Sequence, residues 1–257
     1  MRAFIAFSKK ELIESVKTQR LTILLIVFAI FGIMNPLLAL MLPNILAGAE
    51  LAPGMVIELP EPTAVDSWMQ FFSNVGQMGM IAVMLIFAGI TAAELSKGTL
   101  LPFLTKGLPR HSVIMAKFAV AFLTWSLAYL LCLGITQAYT AFYWDPVQMP
   151  LSYMLLAFAG PWFYGLLLIA LLILGGVIIR GQYGSLMFAA SMVLVMGLIN
   201  MFPAANRFVP STLAVHVVGL FTEQNVASDF IPAFIVSAVA IVTCLVAAML
   251  AFNKKQL

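Results

Sequence analysis

Charge is the scarcest commodity in this 257-residue sequence. Only 9% of its residues are Asp, Glu, Lys or Arg, while 63% are hydrophobic, and its mean hydropathy is +1.08. Soluble domains carry about 25% charged residues. A chain with so few charges cannot cover a globule of its size with a wetted surface, which excludes a cytosolic enzyme, a nucleic-acid binder and a disordered regulator. Cysteine is almost absent too. Cys132 and Cys244 both lie in apolar runs, so neither a disulfide framework nor a CxxC-type metal site can be built. No Gly-Lys pair occurs anywhere, so there is no P-loop to hold ATP phosphates. HExxH and GxSxG are missing as well. The ten acids lie outside the apolar segments or at their ends, which counts against proton-coupled carriers and ion pumps. His111 and His216 are lone histidines, each a filler or a single ligand. There is no internal repeat and no low-complexity tract. The first twenty residues have no continuous apolar stretch and do not read as a signal peptide.

What is present is long apolar sequence. A spanning helix takes about 20 mainly apolar residues, and six segments qualify: about 21–42, 68–93, 113–140, 151–179, 184–202 and 231–252. The expected fold class is an all-α integral membrane protein of six transmembrane helices. The fourth segment contains Gly160-Pro161-Trp162, so it either kinks there or begins at Pro161. The sixth carries small residues at four-residue spacing, Ala240, Cys244 and Ala248, which suits close helix packing.

Basic residues set orientation. With the N-terminus in the cytoplasm, 12 of the 13 Lys and Arg face inward, all but Arg207, and seven of the ten acids face outward. Both termini are expected to be cytoplasmic, in a prokaryotic cell membrane. Pro43, Pro53, Pro60 and Pro62 forbid a long helix across outer residues 43–67, with Asp66 or Ser67 capping the second span. Residues 203–230, between Pro203 and Pro232, hold an apolar stretch too short to span. This predicts a re-entrant or interfacial segment between spans five and six.

Two inner features stand out. Residues 1–20 predict an amphipathic helix with Ile5, Leu12, Ile13 and Val16 on one side and Lys10, Glu14 and Lys17 opposite. It reads either as an interfacial helix or as a plain basic anchor. The loop 94–112 predicts a short apolar helix, 100–106, capped by Thr99 and stopped by Gly107. Leu100, Leu101, Phe103 and Leu104 there either dip into the lipid interface or plug into a groove on a soluble partner, with Lys97, Lys106 and Arg110 at the rim.

These residues carry a resemblance. Lys9-Lys10-Glu11-Leu12-Ile13-Glu14 ahead of the first span resembles the start of a permease subunit of ATP-binding-cassette (ABC) transporters of the type-2 exporter class. So do Glu94, Lys97-Gly98-Thr99, the short helix, the turn Gly107 to Arg110, and Lys117 opening the third span. The resemblance implies an elbow helix at 1–20, a six-span domain at 21–257 and a coupling loop at 94–112. It also implies a second permease, identical or related, and two copies of a separate ATPase subunit. ATP and Mg would sit on that ATPase, with no cofactor or metal on this chain. Lys97, Gly98, Thr99, Leu100, Leu101, Phe103, Leu104, Lys106 and Arg110 would couple to it, together with Lys9, Lys10, Glu11, Leu12 and Glu14 of the elbow helix.

Polar residues within the spans are few, notably Asn74, Gln77, Tyr129, Gln137 and Asn200. They mark either interhelical hydrogen bonds or a substrate path. A path this apolar suits an amphipathic or hydrophobic cargo such as a peptide, an antibiotic or a lipid. Competing readings are a sensory or assembly protein that docks a soluble partner without transport, and a stand-alone channel or carrier. A membrane-embedded enzyme would need a nucleophile–base or metal constellation, and none is visible.

Overall fold

A computed structural model describes residues 2–48, 61–99, 103, 105, 108–179, 181–221 and 226–254. Among these residues there is no strand, and six helices are long and apolar enough to cross a membrane. They are Arg20–Gly48, a compound second span over Ala64–Ser96, Arg110–Tyr143, Leu151–Ile178, Gln182–Asn200, and Ile231–Lys254. A further helix, Arg2–Lys17, precedes the first span. The chain turns between them at Gln19, whose φ of 58° is left-handed, a conformation uncommon outside glycine.

The fourth span is the hub. It packs on the second, third, fifth and sixth spans, and 83% of its apolar stretch is buried, against 11% for the fifth span. Its helix runs unbroken from Leu151 through Pro161 to Ile178, so it does not begin at Pro161. The first span packs on the second and third. It continues through Pro36 and Pro43 to Gly48, several residues beyond the apolar run expected at about 21–42. A proline removes one backbone hydrogen bond; unwinding in an apolar surrounding would expose several more backbone groups.

The second span is capped by Thr63, not by Asp66 or Ser67. Asp66 reaches back from the third helical position, and its Oδ2 accepts from the Thr63 N–H and the Thr63 hydroxyl, each at 2.7 Å. The span is not one α-helix. It switches to a π-helix at Val75–Gly79, resumes over Met80–Phe87, turns, and ends as Ala92–Lys97. Gly76 lies in the π-turn. Opposite it sits the apolar stretch between spans five and six, whose Leu213, Ala214 and Val217 are fully or almost fully buried. A Cβ on Gly76 would lie 2.5 Å from the Ala214 carbonyl oxygen, and one on Gly160 would lie 2.5 Å from that of Leu213. Two glycines on two spans thus admit the backbone of this segment into the bundle. Around it Trp68, Phe71, Phe72, Phe158 and Phe221 make a continuous aromatic cluster.

The sixth span buries Ala233, Ser237, Ile241, Leu245, Ala248 and Phe252. Of the expected small-residue stripe, all three members touch the core. Ala248 is buried, whereas Ala240 and Cys244 lie at the edge of the contact.

Candidate functional site

The N-terminal helix is amphipathic in an inverted sense. Its apolar stripe, Ile5, Leu12, Ile13 and Val16, is exposed on the protein surface, and the buried line is Phe7, Glu11 and Ser15. The spacing of four puts these three on one helical face. That face packs on the third span, where it meets a cation. Lys117 is only 1% exposed, and its ammonium donates to both Glu11 carboxylate oxygens at 3.0 Å.

Glu94, at the end of the second span, joins the same cluster, with its Oε2 2.5 Å from Lys117 Nζ. Lys10 completes it through Glu94, through Glu14 at 2.6 Å and through Glu11 at 3.1 Å. Burial works against the charge on Lys10. The hydrogen bonds to Glu14 and Glu94 and the nearby Glu11 charge outweigh it, so the Lys10 pKa lies above the ordinary lysine range. Three carboxylates and two ammonium groups thus tie together the N-terminal helix, the second span and the third span. Glu11, Glu14 and Glu94 are close enough to offer one oxygen each to a metal ion. Lys10 and Lys117 already pair with all three in that space, so this donor set does not fit a cation of high charge.

The turn after Glu94 is shaped by Gly98. Its φ of 66° is left-handed, and its N–H closes the helix onto the Glu94 carbonyl, the usual glycine solution at a helix end. The Thr99 N–H and hydroxyl both turn back to Glu94 O; the start of the helix it was expected to cap lies outside the described residues. Leu100, Leu101, Leu104 and Lys106, and the side chain of Lys97, lie outside the described residues. Phe103 is helical and sits edge-on to Phe7 at 5.8 Å, with Lys10 over its ring. The loop and the N-terminal helix, read from the sequence as separate features, therefore form one surface.

Between them runs a cleft of about 290 Å³ lined by Lys10, Glu14, Thr18, Arg20, Glu94 and Phe103, among others. Lys9 and Leu12 are exposed beside it. Arg110 is engaged within the fold. Its guanidinium donates to the carbonyls of Phe252 and Asn253 at 2.8 and 3.2 Å, where a cation suits the end of a helix. His111 is exposed beside it.

The five polar span residues do not line one path in this chain. Asn74 donates to Asn35 Oδ1 at 2.8 Å, and the fully buried Asn35 donates to Thr136 at 3.2 Å, linking the first three spans. Tyr129 donates to Phe158 O at 2.6 Å, and Asn200 to Ser211 at 2.7 Å. These three serve interhelical bonding. Gln77 lies within the π-turn and is exposed on the surface of the second span. Gln137 is exposed at the far end of the bundle, beside a cavity of about 90 Å³ lined by Trp68, Thr140 and Trp144. His216 lines a separate cavity of about 280 Å³ with Asn206, Arg207 and Asp229.

The ion cluster was only half legible in the sequence. Lys10, Glu11, Glu94 and Lys117 are all motif positions there, but nothing in the spacing pairs them. The available signal was the line Phe7, Glu11, Ser15, an acid on an otherwise packable face, facing a lysine just inside an apolar segment. Searches against family models and against curated proteins match none.

Proposed function

We propose that this chain is the membrane-spanning permease subunit of an ATP-driven exporter of the ABC type-2 class, moving an amphipathic or hydrophobic cargo out of the cytoplasm or the inner leaflet. The observation that carries the reading is the convergence of Lys10, Glu11, Glu94 and Lys117. Residues of the N-terminal helix, of the end of the second span and of the start of the third meet in one buried cluster. A push on the loop after Glu94 is then transmitted to two spans through a rigid joint. The N-terminal helix, with Ile5, Leu12, Ile13 and Val16 outward, lies in the inner membrane interface as an elbow. The segment packed at Gly76 and Gly160 re-enters the outer half of the bilayer. Both termini are cytoplasmic, in keeping with the distribution of Lys and Arg.

Partners follow from the same geometry. Two ATPase subunits dock on the surface formed by the N-terminal helix and residues 94–110, and they bring ATP and Mg. A second permease covers part of the exposed spans, where Gln77 is a polar group that lipid would not solvate.

The test is co-purification from the native membrane in mild detergent. A stoichiometric ATPase is expected to elute with the chain. Leu101→Asp, alone and with Phe103→Asp, is expected to abolish that association; a melting curve checks the fold, since Phe103 touches Phe7. A folded chain that elutes alone removes the energy source and favours a docking protein without transport, or a stand-alone channel. Orientation is checked separately. In intact cells, a Val56→Cys variant is expected to react with an impermeant thiol reagent and a Leu108→Cys variant to stay unlabelled. The opposite pattern reverses the topology.

A further inference from the structure

The cleft between the N-terminal helix and the end of the second span carries charges of both signs. The buried cluster holds Glu11, Glu14 and Glu94 against Lys10 and Lys117, so one carboxylate remains uncompensated. Glu14 is the acid on which that charge is accessible. Its side chain is 31% exposed, against 5% for Glu11 and 10% for Glu94, and it lines the cleft. Arg20 lines the same cleft as the first residue of the first spanning helix. There the amino end of the helix adds partial positive charge to the guanidinium. One wall thus suits an ammonium group and the other an anion.

Arg20 also heads an apolar track. Ile23, Ile26, Ile30, Ile33 and Leu37 are all exposed and repeat every three or four residues, so they run down one side of the helix below it. A soluble zwitterion would use the cleft and leave this track bare. A phospholipid would use both.

We propose that the cleft holds the headgroup of phosphatidylethanolamine. Its ammonium donates to Glu14, its phosphate accepts from Arg20, and its acyl chains lie along Ile23, Ile26 and Ile30. Ethanolamine fits better than the alternatives on simple grounds. Choline has no N–H to donate to a carboxylate. Glycerol brings no cation to offset Glu14. A cleft of about 290 Å³ is at the small end of ligand sites, the size class of a headgroup. The assignment rests on the chain spanning a membrane with this end at a leaflet surface, and not on any transport activity.

The experiment is native mass spectrometry of the full chain, released from mixed micelles containing equal phosphatidylethanolamine, phosphatidylcholine and phosphatidylglycerol. The wild type is expected to retain one phosphatidylethanolamine in preference to the other two. Glu14→Gln and Arg20→Gln, each confirmed as folded by melting, are expected to lose that preference by about tenfold. The control Lys9→Gln, an exposed neighbour, is expected to keep it. Retention unchanged in both site variants overturns the proposal, as does preferential retention of phosphatidylglycerol or phosphatidylcholine. Equal protection of the cleft by soluble O-phosphoethanolamine overturns the lipid as its source. Because no ATPase enters the measurement, its failure leaves the transport reading untouched, and the reverse also holds.

Discussion

Lys117→Met is expected to be the most damaging single change at the basic end of the bundle. Lys117 is 1% exposed and holds Glu11 at 3.0 Å and Glu94 at 2.5 Å. Removing its ammonium leaves two carboxylates in a site closed to water, with Lys10 alone to answer them. Breaking a buried ion pair from one side costs about 3–5 kcal/mol, because the surviving charge is stranded. The structure has an inexpensive escape, which is to undock the N-terminal helix and return Glu11 to solvent. The expected result is therefore a lower melting temperature in detergent together with protease cleavage near Gln19.

A second variant separates the charge effect from lost packing. Glu11→Gln combined with Lys117→Met removes one charge of each sign and leaves Glu94 with Lys10. It is expected to recover about 1–3 kcal/mol relative to the sum of the single changes. Melting of Lys117→Met indistinguishable from the parent would sink this account. The raised pKa of Lys10 means that its contribution is complete below its unfolded value, near about 10.4, and fades only as pH climbs through the higher folded value. Attachment of the helix is therefore expected to be unchanged on raising the pH from about 7 to about 9.

Gly76→Ala tests the other device that holds the fold in shape. Alanine in place of glycine within a helix ordinarily stabilises by up to about 1 kcal/mol. At Gly76 the added carbon would lie 2.5 Å from the Ala214 carbonyl oxygen. A backbone oxygen cannot rotate aside as a side chain can, so overpacking of about 1–3 kcal/mol wins. The segment around Leu213 is expected to move outward. Gly160→Ala, which meets Leu213 O at the same distance, is expected to act alike. Gly134→Ala is the control, since nothing lies within 4 Å of its added carbon, and it is expected to hold or raise stability. The readout is labelling of a Leu213→Cys variant, 0% exposed in the parent. Labelling is expected to rise with alanine at 76 or 160 and to stay flat with alanine at 134. Equal labelling in all three backgrounds would show that the segment is not held by these contacts.

Both experiments probe the positions where the structure goes beyond the sequence. The six apolar helices were legible because a twenty-residue apolar run has one low-energy fate in a bilayer, and that fate depends on local composition alone. The exact end of the first helix was not legible: it runs past Pro43 to Gly48, because in an apolar surrounding unwinding costs more than the one bond a proline removes. Long-range partners were not legible. Asn74 reads equally as a path residue or as a bonding residue until Asn35, 39 positions away, is seen 2.8 Å from it.

The N-terminal helix shows the limit most clearly. Its hydrophobic stripe was visible in the sequence, and a water-soluble protein would have turned that stripe inward. In this chain the stripe faces out, as the proposed place in an apolar interface requires, and the side bearing Phe7, Glu11 and Ser15 turns to the protein. The sequence by itself determined an all-helical, six-span chain with its cations gathered at one end, because hydropathy and charge act locally. Only the tertiary structure decided that Glu11 and Glu94 share the Lys117 ammonium, and that Gly76 and Gly160 admit a buried turn. Ion pairing and close backbone approach depend on distances between segments that are remote in the chain, and composition carries no record of those distances.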